Sequence, residues 1–144
     1  MSSAHDWFFW ALLSAVFAAL TAIFAKIGLE GVESDLATLI RTGVIMIVLA
    51  GFVYFTGKWS NPFELHSKTW LFLVLSGLAT GSSWVCYFRA LKVGDASKVA
   101  PIDKLSLLLV AVFAVLFLGE RPTTREWLGI LLVGAGAIIL GLKR

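Results

Sequence analysis

Charge is scarce in this sequence: of 144 residues only 9 are acidic and 12 are Lys or Arg, so charged residues make up 15% against 59% hydrophobic. That balance, with a mean hydropathy of +0.91, excludes the ordinary soluble globular classes. Cysteine is scarcer still. Cys86 stands alone inside an apolar run, which rules out an intramolecular disulfide or a cysteine zinc site and leaves packing as its role. Histidine occurs only at His5 and His66, in a terminus and a loop, and no HExxH, serine–histidine or paired-carboxylate pattern falls within the apolar runs. An intramembrane enzyme therefore has little support. No ATP-binding motif is present, and nothing implies a cofactor or a metal. Long polar tracts are also missing. The longest connection runs from Gly57 to Lys68, leaving no room for a linker, a low-complexity tract or a separate soluble module. Lys and Arg sit at loops and segment ends, a distribution that fits membrane topology signals rather than a nucleic-acid surface.

What fills the chain is apolar. Phe8–Leu29, Leu36–Thr56, Thr69–Leu91, Ala96–Leu118 and Trp127–Leu142 are each long enough to cross the hydrocarbon of a bilayer as a helix, the last with little tilt. Lipid offers backbone amides no partners, so spans must be helical or form a closed barrel. The runs lack the polar–apolar alternation of barrel strands. The predicted fold class is an all-α membrane protein of five transmembrane helices, one compact membrane domain over residues 1–144. The first run has no basic region before it and no evident small-residue cleavage site, and is read as a retained helix.

Five crossings put the termini on opposite faces. The N-terminal face then carries Lys58, Lys68, Arg121 and Arg125, 4 in all, and the other carries Lys26, Arg89, Lys92, Lys98, Lys143 and Arg144, 6 in all. The excess favours a cytoplasmic C-terminus but is small enough for insertion in both orientations. Transporters are commonly built from inverted repeats, and a five-helix unit cannot supply its own inverted copy. An antiparallel ten-helix homodimer is the expected assembly, with a parallel dimer still open. Gly134, Ala137 and Gly141 form a small-residue ridge at i, i+3 and i+7 on the last span, which is offered as the dimer interface.

Within the spans, polar and aromatic residues mark where solute contact is expected. Trp7, Trp10, Tyr54, Trp59, Trp70 and Trp127 lie near span ends, where ring anchors sit at headgroup level. Trp84 is deeper. Gly77, Gly81, Trp84 and Phe88 share one helical stripe, which reads either as close helix packing or as an aromatic wall beside a solute path, with Ser82, Ser83 and Tyr87 adding hydrogen-bonding groups. Trp10, Ser14, Phe17 and Thr21 make a similar face on the first span, expected to look inward, unless the two hydroxyls simply bond their own i−4 carbonyls. Ionisable groups in hydrocarbon are costly and are rarely kept without a role. Arg41, Asp103 and Lys104 qualify. Arg41 either snorkels to the interface or faces an aqueous cavity. Pro101 precedes the other two: it kinks the fourth helix if that helix starts near Ala96, or is a first-turn residue if it starts near Val99. Adjacent residues point about 100° apart on a helix, so Asp103 and Lys104 are expected to find different partners, Arg41 being one for Asp103. A neighbouring lysine also works against Asp103 as a proton carrier. Gly119 suits a left-handed helix cap before Pro122.

The segment Tyr87-Phe88-Arg89-Ala90-Leu91-Lys92-Val93-Gly94, then Ala96 to Pro101, Leu118-Gly119-Glu120-Arg121-Pro122 and Glu126-Trp127-Leu128-Gly129, closely resembles the latter half of the EamA domain of the drug/metabolite transporter superfamily. The likeness extends over nearly the whole chain. It implies a multi-pass protein of the prokaryotic cell (inner) membrane that carries a small-molecule metabolite or drug-like solute, in the form of the stand-alone five-helix members that must pair to work. Drug/proton exchange through an acid in the first helix, as in the small multidrug resistance branch, is not implied, because no acidic residue lies between Phe8 and Ala25. Glu120 matches the family's glycine–glutamate turn and is given a structural role there, capping or pairing with Arg121 or Arg125. The expected solute contacts are Trp10, Trp84 and Tyr87 as aromatic walls, Ser14 and Ser83 as hydrogen-bonding groups, and Arg41, Asp103 and Lys104 as charges. A membrane subunit that does not transport but completes or regulates a related partner is the alternative.

Overall fold

The computed structural model describes residues 6–142. His5, Lys143 and Arg144, used above, lie outside the described residues. Within them every long element is a helix, and five helical stretches are long and apolar enough to cross a membrane: Trp7–Gly28, Ser34–Phe55, Ser67–Val93, Ala96–Leu118 and Thr124–Gly141. The predicted spans are reproduced within three residues at every end. Most of their large apolar side chains are exposed, for example Phe24 at 65%, Ile47 at 71% and Phe117 at 79%. Such continuous apolar surface suits lipid and not water.

The helices are α1 (Asp6–Gly28), α2 (Ser34–Phe55), α3 (Ser67–Val93), α4 (Ala96–Asp103), α5 (Ser106–Phe113) and α6 (Thr124–Gly141), with a π-helical turn over Ala114–Leu118 after α5. Their ends follow from local chemistry. Asp35 lies in the first turn of α2, where a carboxylate meets the positive end of the helix dipole. The loop before α3 carries a short 3₁₀ turn at Pro62–Glu64, opened by the Asn61 side chain accepting from the Phe63 amide. Trp70, one of the expected ring anchors, donates its indole N–H to the Pro62 carbonyl at 2.9 Å.

Two compact units result, residues 27–92 and residues 1–26 with 93–144. In the second of these, α4 and α5 pack on α6. Its buried residues are small: Ala22, Ala111, Ala114, Gly134 and Ala137. Side chains this short let helix backbones approach closely, the main source of packing energy where lipid is as apolar as the interface. The Gly134, Ala137 and Gly141 ridge is taken up here. A Cβ on Gly134 would fall 2.6 Å from Leu108 Cδ1, and one on Gly141 would fall 2.8 Å from Ile102 Cδ1. The face that the sequence offers to a second copy is thus occupied by the chain's own fourth span, because a small-residue ridge specifies close approach but not whose helix approaches.

Gly134→Val should therefore lower the melting temperature of the purified protein, since filling a packed contact costs about 1–3 kcal/mol. Gly136→Val is the control, because a Cβ there meets nothing within 4 Å. Equal melting of the two variants would show that the Gly134 contact does not hold α6.

The fourth span is not one straight helix. It starts at Ala96 with Pro101 inside, so the kinked alternative is the one adopted. Pro101 has no N–H to give the Ser97 carbonyl. Beyond it the bonding tightens to i−3, with Lys104 N–H to Pro101 O at 3.0 Å, Leu105 to Ile102 at 2.9 Å, Leu107 to Lys104 at 3.0 Å and Leu108 to Leu105 at 3.1 Å. The far end loosens instead. Gly119, at φ +68°, and Glu120 both direct their N–H groups to the Ala114 carbonyl, the latter at 3.2 Å. Only glycine takes that left-handed position without strain. Next, Thr123 and Glu126 form a reciprocal capping box that starts α6.

Candidate functional site

The unit of residues 27–92 carries the charged chemistry. α2 and α3 meet there through side chains in an antiparallel register. As the position on α2 rises, its partner on α3 falls. Lys92 donates to the Val32 carbonyl at 2.7 Å and lies 3.4 Å from the Glu33 carboxylate. One turn further in, Arg89 binds Asp35 with both prongs, Nε to Oδ1 at 2.9 Å and Nη2 to Oδ2 at 2.6 Å. Two parallel bonds fix orientation as well as distance. Both side chains remain more than half exposed, so the pair contributes mainly register and little net stability.

Six residues beyond Asp35, about 9 Å along the helix axis, comes Arg41. Its guanidinium carbon lies 4.4 Å from the centroid of Trp84 and 5.1 Å from that of Phe88. Trp84 and Phe88 are four apart on α3 and so share a face. Phe88 is buried, at 2% exposure, and Tyr87 stands edge-on to it with centroids 6.3 Å apart. The rings attract the cation through their negative faces, an effect of about 0.5–1 kcal/mol when exposed and about 2 when desolvated. Arg41 Nη1 is itself sealed from solvent and makes no hydrogen bond among the described residues. Ring faces hold the plane of the guanidinium but do not satisfy its in-plane donors.

Other expected contacts are placed differently. Ser83 is exposed on α3, and Trp10 and Phe17 on α1 are 65% and 60% exposed, with Ser14 exposed beside them. The α1 face expected to look inward is therefore on the surface of the chain from Trp10 to Phe17, with Thr21 half-buried. Asp103 and Lys104, expected to diverge, lie together, Nζ to Oδ2 at 3.4 Å. The reason is local: Lys104 is the first residue past the end of α4, where the backbone has left regular helical spacing. Arg41 is placed against Trp84 and Phe88 of its own unit. Phe88 was visible in the sequence as a member of the α3 stripe, but its role as the second ring over Arg41 was not. Between the third and fourth spans, the Lys98 ammonium bonds Asp95 at 3.0 Å and holds that carboxyl below its usual range.

No group of three or more His, Cys, Asp or Glu side chains able to hold a metal occurs among the described residues. Residues 6–142 match the EamA-like transporter family, almost the full length of the chain. The chain belongs to that family. This EamA-like chain is 59% identical, over 96% of its length and 98% of the relative's, to an uncharacterized transporter in the cobO 3' region of a Sinorhizobium species. It is 28% identical to an uncharacterized transporter of Bacillus subtilis, covering 94% of the chain but 42% of the relative. An uncharacterized protein of Methanocaldococcus jannaschii is also 28% identical, over 92% of the chain and 93% of the relative. No solved structure matches. The EamA-like chain is thus a multi-pass integral membrane protein of transporter type.

Proposed function

We propose that two copies of this chain pair into a ten-helix secondary transporter, which moves a small metabolite or drug-like solute across a prokaryotic cell membrane by alternating access. The observation that carries this is the difference in length between relatives. The five-helix unit accounts for nearly all of the Sinorhizobium and Methanocaldococcus relatives but less than half of the Bacillus one, so the longer chain has room for a second unit where the shorter ones need a second copy. A pair of such units offers matching gates to the two compartments. The small Lys and Arg asymmetry allows the copies to insert oppositely. Solute contact is assigned to Arg41, Trp84 and Tyr87 on α2 and α3, with Ser83, Trp10, Ser14, Asp103 and Lys104 as further contacts across the assembled dimer.

Purified protein reconstituted alone into liposomes tests this, using a panel of radiolabelled metabolites with and without a pH gradient. Flux is expected, and at low protein-to-lipid ratio it should fall with the square of protein density as dimers dissociate. Flux proportional to density would remove the dimer. No flux with any solute, restored by co-reconstitution with a related chain, would make this a completing subunit instead. Tags at both termini should be accessible from both sides of the membrane, and access from one side alone would replace the antiparallel pair with a parallel one.

A further inference from the structure

Three cations point into the seam between α2 and α3, and they are not treated alike. Lys92 has the Glu33 carboxylate and the Val32 carbonyl, Arg89 has both oxygens of Asp35, and both lie at the end of the seam. Arg41, the deepest, has two ring faces and a sealed Nη1 with no acceptor among the described residues. A guanidinium is not relieved of its charge by losing a proton. Stacking uses the face of the guanidinium and leaves its edge, a planar fork of N–H donors spaced for the two oxygens of a carboxylate or phosphate. A permanent cation kept this far along a membrane helix, oriented but not neutralised, is a receptor for negative charge.

We propose that Arg41 binds the oxyanion of the transported solute, a small organic carboxylate or phosphate. The oxyanion is gripped edge-on by the guanidinium, reaching the sealed Nη1 when the side chains over it move aside, while Trp84 and Phe88 fix the plane in which the donors lie. The proposal rests on the transporter reading for its ligand being cargo. The site itself stands on the geometry alone. Cationic solutes are repelled at this point. A neutral amide presents one acceptor to a fork built for two and leaves the charge uncompensated. The phosphate of a lipid headgroup shares the favoured chemistry, but Arg41 lies about 10 Å along α2 from Ser34, the first residue of the span.

Binding to the purified full chain in a phosphate-free maltoside detergent decides this, measured calorimetrically with four probes of one size: phenylacetate, phenyl phosphate, phenylacetamide and phenethylammonium. The two anions should bind at least about tenfold more tightly than the amide or the ammonium, a gap of roughly 1.4 kcal/mol. Arg41→Lys, which keeps the charge and loses the fork, should weaken anion binding about tenfold, and Arg41→Met should abolish it, both variants eluting as wild type on size exclusion. Equal binding of the neutral or cationic probes, anion binding that survives in Arg41→Met, or no anion binding at all would each overturn the proposal. Repeating the titration in phosphatidylcholine nanodiscs separates the sources of oxyanion. Anion binding lost on transfer to lipid would assign the site to a headgroup and overturn the solute form. Anions that bind but are not moved by proteoliposomes would leave the site standing and remove transport. Flux of a radiolabelled solute by a protein that binds neither anion would do the reverse.

Discussion

Alanine in place of Trp84 should cut solute flux in proteoliposomes about tenfold while leaving the protein inserted and monodisperse. Trp84 is the nearer of the two rings over Arg41, at 4.4 Å against 5.1 Å for Phe88, and indole is the strongest of the aromatic cation partners. Losing it removes about 1–2 kcal/mol of attraction and frees the guanidinium to rotate out of the plane in which it meets a solute. Since about 1.4 kcal/mol is a tenfold change in an equilibrium, a tenfold loss is the scale expected if the ring serves only to orient Arg41. Trp84→Phe, which retains a ring face, should fall between. Insertion should survive, because the third span remains a long apolar helix with Leu91 and Phe88 still buried. Wild-type flux in the alanine variant would separate the Arg41–Trp84 contact from solute handling altogether.

The spans were legible in the sequence because bilayer thickness imposes one length on each of them and the hydrophobic runs show it directly. Residues within the spans were legible one at a time. Arg41 and Trp84 both stood out, one as an intramembrane charge and the other as a ring too deep to be an interface anchor. Their contact did not, since it depends on the register of α2 against α3, which helical periodicity within either segment does not contain. The pair that helps fix this register, Asp35 with Arg89, was hidden for a simpler reason. Asp35 lies one residue outside the predicted span and Arg89 has the look of a topology charge at a span end, so neither residue advertises a partner on another helix. The α6 ridge shows the same limit: Gly134, Ala137 and Gly141 announce that a helix comes close, and only the structure shows that it is the chain's own fourth span, through Leu108 and Ile102. The start of α6, by contrast, could have been read in advance. Thr123 followed three residues later by Glu126 before an apolar run is a capping-box pattern, and it stands just beyond the turn that Gly119 and Pro122 mark.

Pro101→Ala should do the opposite of a typical core substitution: raise the melting temperature and depress flux. In the wild-type chain Pro101 leaves the Ser97 carbonyl without its helical donor, and the following residues tighten to i−3 bonds from Lys104 to Leu108, splitting one span into α4 and α5. Alanine restores the missing N–H and has the highest helix propensity, against a penalty of about 3 kcal/mol for proline in a helix interior. The membrane setting reduces that figure, because proline-broken spans find compensating contacts. Even about 1 kcal/mol of the gain would raise the melting temperature by several degrees. Flux should nonetheless fall, because a break in a span that carries Asp103 and Lys104 beyond it is a place where one half of the helix can move against the other, as alternating access requires. The two readouts separate the possible roles of the break. Higher stability with unchanged flux would make Pro101 a packing feature of the fourth span. Lower stability would mean that the bend itself seats Ile102 against Gly141 and Leu108 against Gly134, and that straightening the helix pulls these side chains away from α6.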